Sequence, residues 1–244
     1  MNDNSWQTQT PFFKWSIKDE ISHIAYFDRA AYYSATDSKA FQKDMEQMLE
    51  GFVDYTQMHK KVNSVGGNMS SKELLVWWRI NRKLLIDAYS ALSPKDRLPW
   101  YGPTMSARSS ATARLMETWA HGQDIVDALK KERKATKRLR HIAHIGVTTF
   151  QWSFNNRKMP VPENPVYVAL NSPSGEIWEW GPDDAKESVV GDAEDFCLVV
   201  TQRRNIADVK SLRIKGENAN QWMTIAQAFA GPPETPPLQG ERIY

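Results

Sequence analysis

The chain has 244 residues, enough for one large domain or two modest ones with real cores. Its 31 basic and 29 acidic residues leave a net charge of +2, too balanced for a nucleic-acid binder, and no apolar run approaches the roughly 20 residues of a membrane span. The start lacks a secretory signal and the one cysteine, Cys197, excludes internal disulfides, so the expectation is a cytoplasmic protein with no nucleic-acid or membrane partner.

Residues 1–15 read as an irregular arm interrupted by Pro11. Ser16-Ile-Lys-Asp19 is a capping box, opening a helix to about Ala35 with Ile17, Ile21, Ile24, Ala25 and Tyr32 on its apolar face. A second helix starts near Asp37 or Ser38, carries Phe41 through Val53 and fades into the loop Asn63-Ser-Val-Gly-Gly-Asn68. Ser70-Ser-Lys-Glu73 caps a third helix, running to Leu92 and ended by Pro94. After the stiff loop from Arg97 to Pro103, a fourth helix spans about Ser106 to Leu129. Four helical patterns with short connections argue for a bundle, whose core is a usual place for a metal.

Lys130 to Arg140 holds seven basic residues and one acid, and reads as a solvated linker. Beyond it come a helix to Asn155, alternating strands at Pro165–Asn171 and Gly175–Trp180, and a third strand at Lys186–Val190. A helix at Ala193–Arg204, a strand at Val209–Lys215 and a helix at Asn218–Ala230 follow. The expected class is α+β: a helical bundle over 1–137, a smaller α+β domain over 138–232, and a flexible or draped tail over 233–244.

The fourth helix carries the chemistry. Arg114, Glu117, His121 and Asp124 fall within about 80° of one another on it. Glu117 and His121, four apart, can reach one point and suit a divalent transition metal, although such a pair is also an ordinary helix-surface contact. His23, beside the apolar stripe of another helix, is the best third ligand. A set of two histidines and a carboxylate leaves positions for substrate, as catalytic metal sites do. Arg114 and Asp124 would orient these ligands, or else form an intrahelical ion-pair ladder. His59 reads as a solvent-exposed helix-end residue, and His141 and His144 as boundary or packing residues. Cys197, in Phe196-Cys-Leu-Val-Val, reads as a buried small hydrophobe.

The runs Ile21-Ser-His-Ile-Ala-Tyr-Phe-Asp28, Trp100-Tyr-Gly-Pro103 and Arg114-Leu-Met-Glu-Thr-Trp-Ala-His-Gly-Gln-Asp124 resemble the DinB-like superfamily, in its mycothiol-dependent maleylpyruvate isomerase branch. Leu139–Gly146, Asp195–Arg204 and Ile225–Pro233 resemble a set of metal-binding proteins related to that branch. The resemblance implies a DinB-like bundle binding a divalent metal, most often zinc, through His23, Glu117 and His121. It implies a low-molecular-weight thiol such as mycothiol or glutathione as co-substrate, bound as thiolate and added to an electrophile. It also implies an arginine from the second domain facing the site, which Arg203 or Arg204 would supply.

The expected function is therefore a thiol-dependent isomerase or transferase acting on a small, carboxylated electrophile. A metal-dependent hydrolase or lyase using metal-bound water, and a metal-binding protein without catalysis, are the alternatives. The branch normally has a helix before the one bearing the first histidine. Either that helix is missing here, a gap a homodimer could cover, or the segment from Ser38 to Val62 stands in for it.

Overall fold

The capping box at Ser16 is present in the computed structural model, which describes residues 3–242. Ser16 Oγ accepts from the Asp19 amide while the Asp19 carboxylate accepts from the Ser16 amide, and helix α1 runs from Ile17 to Thr36. The chain divides into two compact units, Met1–Lys131 and Glu132–Tyr244, a few residues before the boundary read from the sequence.

In the first unit the helix expected from Asp37 onward is two helices, α2 (Ser38–Leu49) and α3 (Tyr55–Gly67). Gly51, at φ +67°, turns the chain out of the first, and the Asp54 carboxylate accepts from the Gln57 amide at 2.7 Å to start the second. Helix α4 (Ser71–Ser90) begins at the predicted Ser70/Glu73 box. The loop from Arg97 to Pro103 is closed by a two-residue antiparallel pairing of β1 (Arg97–Leu98) with β2 (Met105–Ser106). Ser106 then caps α5 (Ala107–Ala128). That helix ends on Lys130 at φ +50°, with the Lys131 amide donating to the Val126 carbonyl and the Lys130 amide to that of Asp127.

Helix α1 is central, packing against α2, α3, α4 and α5. The segment suggested as standing in for an earlier helix thus supplies α2 and most of α3, both lying on α1. Trp6, Ile17, Ile21, Ala25 and Leu74 form one buried cluster, and Tyr26, Met48 and Val62 another. Helices α1 and α3 approach closely at Gly66, where an added Cβ would collide with Ser22 Oγ.

The second unit opens with α6 (Leu139–Thr148) and α7 (Phe150–Asn155), the expected single helix being interrupted at Thr149. Strands β3 (Val166–Asn171), β4 (Ile177–Trp180), β5 (Glu187–Asp192) and β6 (Arg213–Lys215) form a sheet ordered β4-β3-β5-β6. Strands β3 and β5 are parallel and the outer pairings antiparallel. Helix α8 (Ala193–Val200) and helix α9 (Glu217–Ile225) complete it. Both end before the sequence reading placed them, at Arg204 and Ala230. Gln202 at φ +57° stops α8, with the Arg203 amide donating back to the Leu198 carbonyl. The tail is draped on this unit through Glu234 and Pro237 carbonyls, which accept from Gln202 and Asn205, and through the Gly240 amide on Asp208. Residues 243–244 lie outside the described residues. No described helix is long and apolar enough to cross a membrane.

Candidate metal centre

A buried carboxylate sets how α1 meets α4 and α5. Asp28, wholly buried on α1, accepts from Arg82 Nε at 2.7 Å, Trp78 Nε1 at 3.0 Å and Arg114 Nη2 at 3.0 Å. Arg114 also donates to the Ile24 carbonyl at 3.2 Å, and Arg82 to Thr118 Oγ1 at 2.7 Å. Burying an unpaired carboxylate is costly, so these partners resist sliding of one helix past another. Arg114 reaches across to α1, and its charge favours the ionised Glu117.

With that register fixed, His23 on α1 stands opposite Glu117 and His121 on α5. Glu117 Oε2 lies 3.3 Å from His121 Nε2 and 3.7 Å from His23 Nε2, and the three ligand atoms fall within 4.8 Å of one another. Ligand atoms at 2.0–2.1 Å from a tetrahedral zinc stand about 3.4 Å apart, so the spacing fits such an ion. Both imidazoles are buried, while the Glu117 side chain remains 27% exposed, leaving the set reachable from one side.

The electrostatics agree with that donor set. Burial drives the His23 imidazole down to about 3, so it is neutral at physiological pH, the form a metal would need. Burial opposes ionisation of Glu117, yet interactions with His121, His23 and Arg114 hold it well below the usual carboxylate range. Burial also opposes charge on His121, but Glu117 and Glu20 outweigh it and raise the ring to about 9. A metal must therefore displace a proton from His121.

Glu20, which sequence reasoning missed, is the second partner of His121. Its Oε2 lies 2.7 Å from His121 Nδ1, and its side chain is wholly buried. A carboxylate on Nδ1–H fixes the ring and leaves Nε2 to face Glu117. The available signal was spacing, because Glu20 lies three residues before His23 and shares its helix face. Asp124 is buried behind the ring, its Oδ2 3.9 Å from the same nitrogen, and its charge adds to burial in raising the Glu20 carboxyl.

His59 corrects an expectation. It sits in the first turns of α3, half-buried, its ring 6.0 Å from that of His23 and 5.4 Å from that of Trp15. The break before Tyr55 moves it from a helix end to a helix start, facing α1. Burial, and then the charge of His121, lower its pKa.

His141 and His144 are exposed, His144 Nδ1 accepting from Trp180 Nε1 at 3.2 Å. Cys197 is fully buried and its thiol donates to the Leu139 carbonyl, with burial pushing its pKa well up. Arg203 and Arg204 are buried in the turn after α8, within the second unit. One Nη1 donates to the Thr201 carbonyl and the other to that of Arg203.

Comparison with known proteins places this chain in a family. The profile of the mycothiol maleylpyruvate isomerase N-terminal domain matches residues 1–126, which include all three candidate ligands. Two curated relatives, uncharacterised proteins from two strains of Mycobacterium tuberculosis, are each 45% identical over 231 residues, covering 93% of this chain and 87% of theirs. The crystal structure of a mycothiol-dependent maleylpyruvate isomerase is similar with a TM-score of 0.54 at 14% identity, over 88% of this chain and 83% of that one. A histidine-to-alanine mutant of that isomerase gives a TM-score of 0.50 at 14% identity, over 82% and 79%. At such identity the structural likeness shows a shared α+β fold, and the profile and the curated relatives carry the rest: the chain belongs to the mycothiol maleylpyruvate isomerase N-terminal domain family.

Proposed function

We propose that this protein is a divalent-metal-dependent enzyme, a thiol-dependent isomerase or transferase acting on a small electrophile. The observation that carries the reading is the convergence of His23, the partly exposed Glu117 and His121, whose ligand atoms lie within 4.8 Å of one another. Two neutral nitrogens and one carboxylate oxygen suit zinc first among the divalent ions. When bound there, such an ion lowers the pKa of a coordinating thiol, so that a nucleophilic thiolate persists at neutral pH.

The chain's own groups bind and orient. His23 and Glu117 supply donors already in their ligand forms, and Glu20 holds the Nδ1 proton of His121 so that Nε2 is presented to the ion. Asp28, through Arg114 and Arg82, fixes α5 against α1. We assign the thiol to the mycothiol class, from the activity named for the similar isomerase, with glutathione as the alternative low-molecular-weight thiol.

Calorimetry of zinc-loaded and metal-free protein with mycothiol and with glutathione tests this. The reading expects one of the two to bind only to the loaded form. Zinc binding with no thiol affinity would favour hydrolytic chemistry, and absence of zinc binding would overturn the metal assignment.

A further inference from the structure

The N-terminal arm enters the metal centre. Thr10 is only 4% exposed, and its Oγ1 donates to Glu20 Oε1 at 2.6 Å. The other oxygen of Glu20 accepts from His121 Nδ1 at 2.7 Å. The two oxygens of a wholly buried carboxylate are thus divided between the arm and a candidate metal ligand.

The arm is folded to make that contact. Gln9 pairs with Ser16, the Thr10 amide donates to the Trp15 carbonyl at 2.6 Å and the Trp15 amide to the Phe12 carbonyl at 2.9 Å. Between them Phe13 and Lys14 adopt left-handed φ values of 47° and 58°. Each costs about 1 kcal/mol or more for a residue with a side chain, so the surroundings must hold the turn. The result is an aromatic cover. Phe12 meets His121 edge-on at 5.2 Å, and Trp15 lies parallel to His121 at 5.9 Å and against His23 at 5.1 Å.

We propose that Thr10 is a positioning residue of the metal centre, and that the chain Thr10–Glu20–His121 couples closure of the arm over the ligands to metal binding. The inference rests on the metal reading above and adds the arm to it. Removing the hydroxyl leaves a buried Glu20 oxygen without its donor and frees the carboxylate to turn away from His121. Coupling is reciprocal by linkage: whatever the arm adds to metal affinity, the metal returns as stability of the closed arm.

The test uses the full chain, with zinc and cobalt as probes. Thr10→Val keeps the shape and removes the hydroxyl. It should weaken zinc about tenfold in a chelator competition and change the visible spectrum of the cobalt form, while Thr10→Ser restores both. Trypsin should cut after Lys14, exposed at the turn, more slowly in zinc-loaded than in metal-free parent protein. The parent comparison decides the coupling even if the valine variant fails to fold. Zinc affinity within twofold of parent in Thr10→Val, or cleavage at Lys14 indifferent to zinc, overturns the proposal and leaves the functional reading standing. A parent that binds no zinc overturns both.

Discussion

The two sides of the His121 ring differ in burial, and on the proposed reading the difference separates support from binding. At Nδ1 the ring meets Glu20, wholly buried and also held by Thr10. At Nε2 it meets Glu117, whose side chain is 27% exposed and which His23 faces from another helix. A carboxylate sealed from solvent, with one oxygen on Thr10 and the other on His121, is placed to orient the ring. One at the edge of solvent can take part in coordination. The same residue types therefore do different work on either side of one imidazole.

Removing the Nε2 side should have the largest effect. His121→Ala or Glu117→Gln is expected to abolish stoichiometric zinc while the helical circular dichroism persists. Full occupancy in either variant would show that the ligands lie elsewhere. Next comes the support beneath both sides. Asp28→Ala strands Arg114 in the interior and should cost about 3–5 kcal/mol in denaturant unfolding of the metal-free protein. A loss below about 1 kcal/mol would mean the clamp does not hold the helices.

Breaking the Nδ1 side should be milder. Glu20→Gln keeps an acceptor near the ring but removes its charge, and is expected to weaken zinc about 10–100-fold without removing it. A complete loss would make Glu20 a ligand, reversing the assignment of the two sides.

The pH response sharpens the comparison further. Burial lowers and the two carboxylates raise the His121 pKa, with a net value of about 9, so zinc must displace one proton below that pH. Apparent zinc affinity should climb roughly tenfold per pH unit toward about 9 and then level, while His23, at about 3, releases none in this range. In the metal-free protein the sign is opposite. The charged ring adds stability that is fully present below its ordinary value of 6.5 and is lost as pH rises through about 9. Calorimetry in buffers of different ionisation enthalpy counts the proton directly.

The binding side was legible in the sequence and the supporting side largely was not. Glu117 and His121 stand out because the i, i+4 spacing puts both on one helix face, and His23 because it borders an apolar stripe. Glu20 has the same kind of spacing to His23, but a carboxylate in a first helical turn reads equally well as a solvated dipole partner. Arg114 read either as support for the ligands or as one rung of a ladder within α5, since spacing within a helix says nothing about Asp28 on another. The capping boxes at Ser16 and Ser70 fixed two helix starts, because a cap is a local interaction. One helix stop was hidden at Gln202, where a residue other than glycine takes the left-handed turn. It moved Arg203 and Arg204 from a helix into a loop. The arm read as irregular, and its contact with the centre depends on a long-range bond from Thr10 that no periodicity announces.

The most direct test of the central claim is zinc stoichiometry. Protein equilibrated with zinc and freed of excess by gel filtration should carry one zinc per chain, with none in His23→Ala, Glu117→Gln or His121→Ala. Parent protein without bound zinc, or variants that keep it, would contradict the assignment.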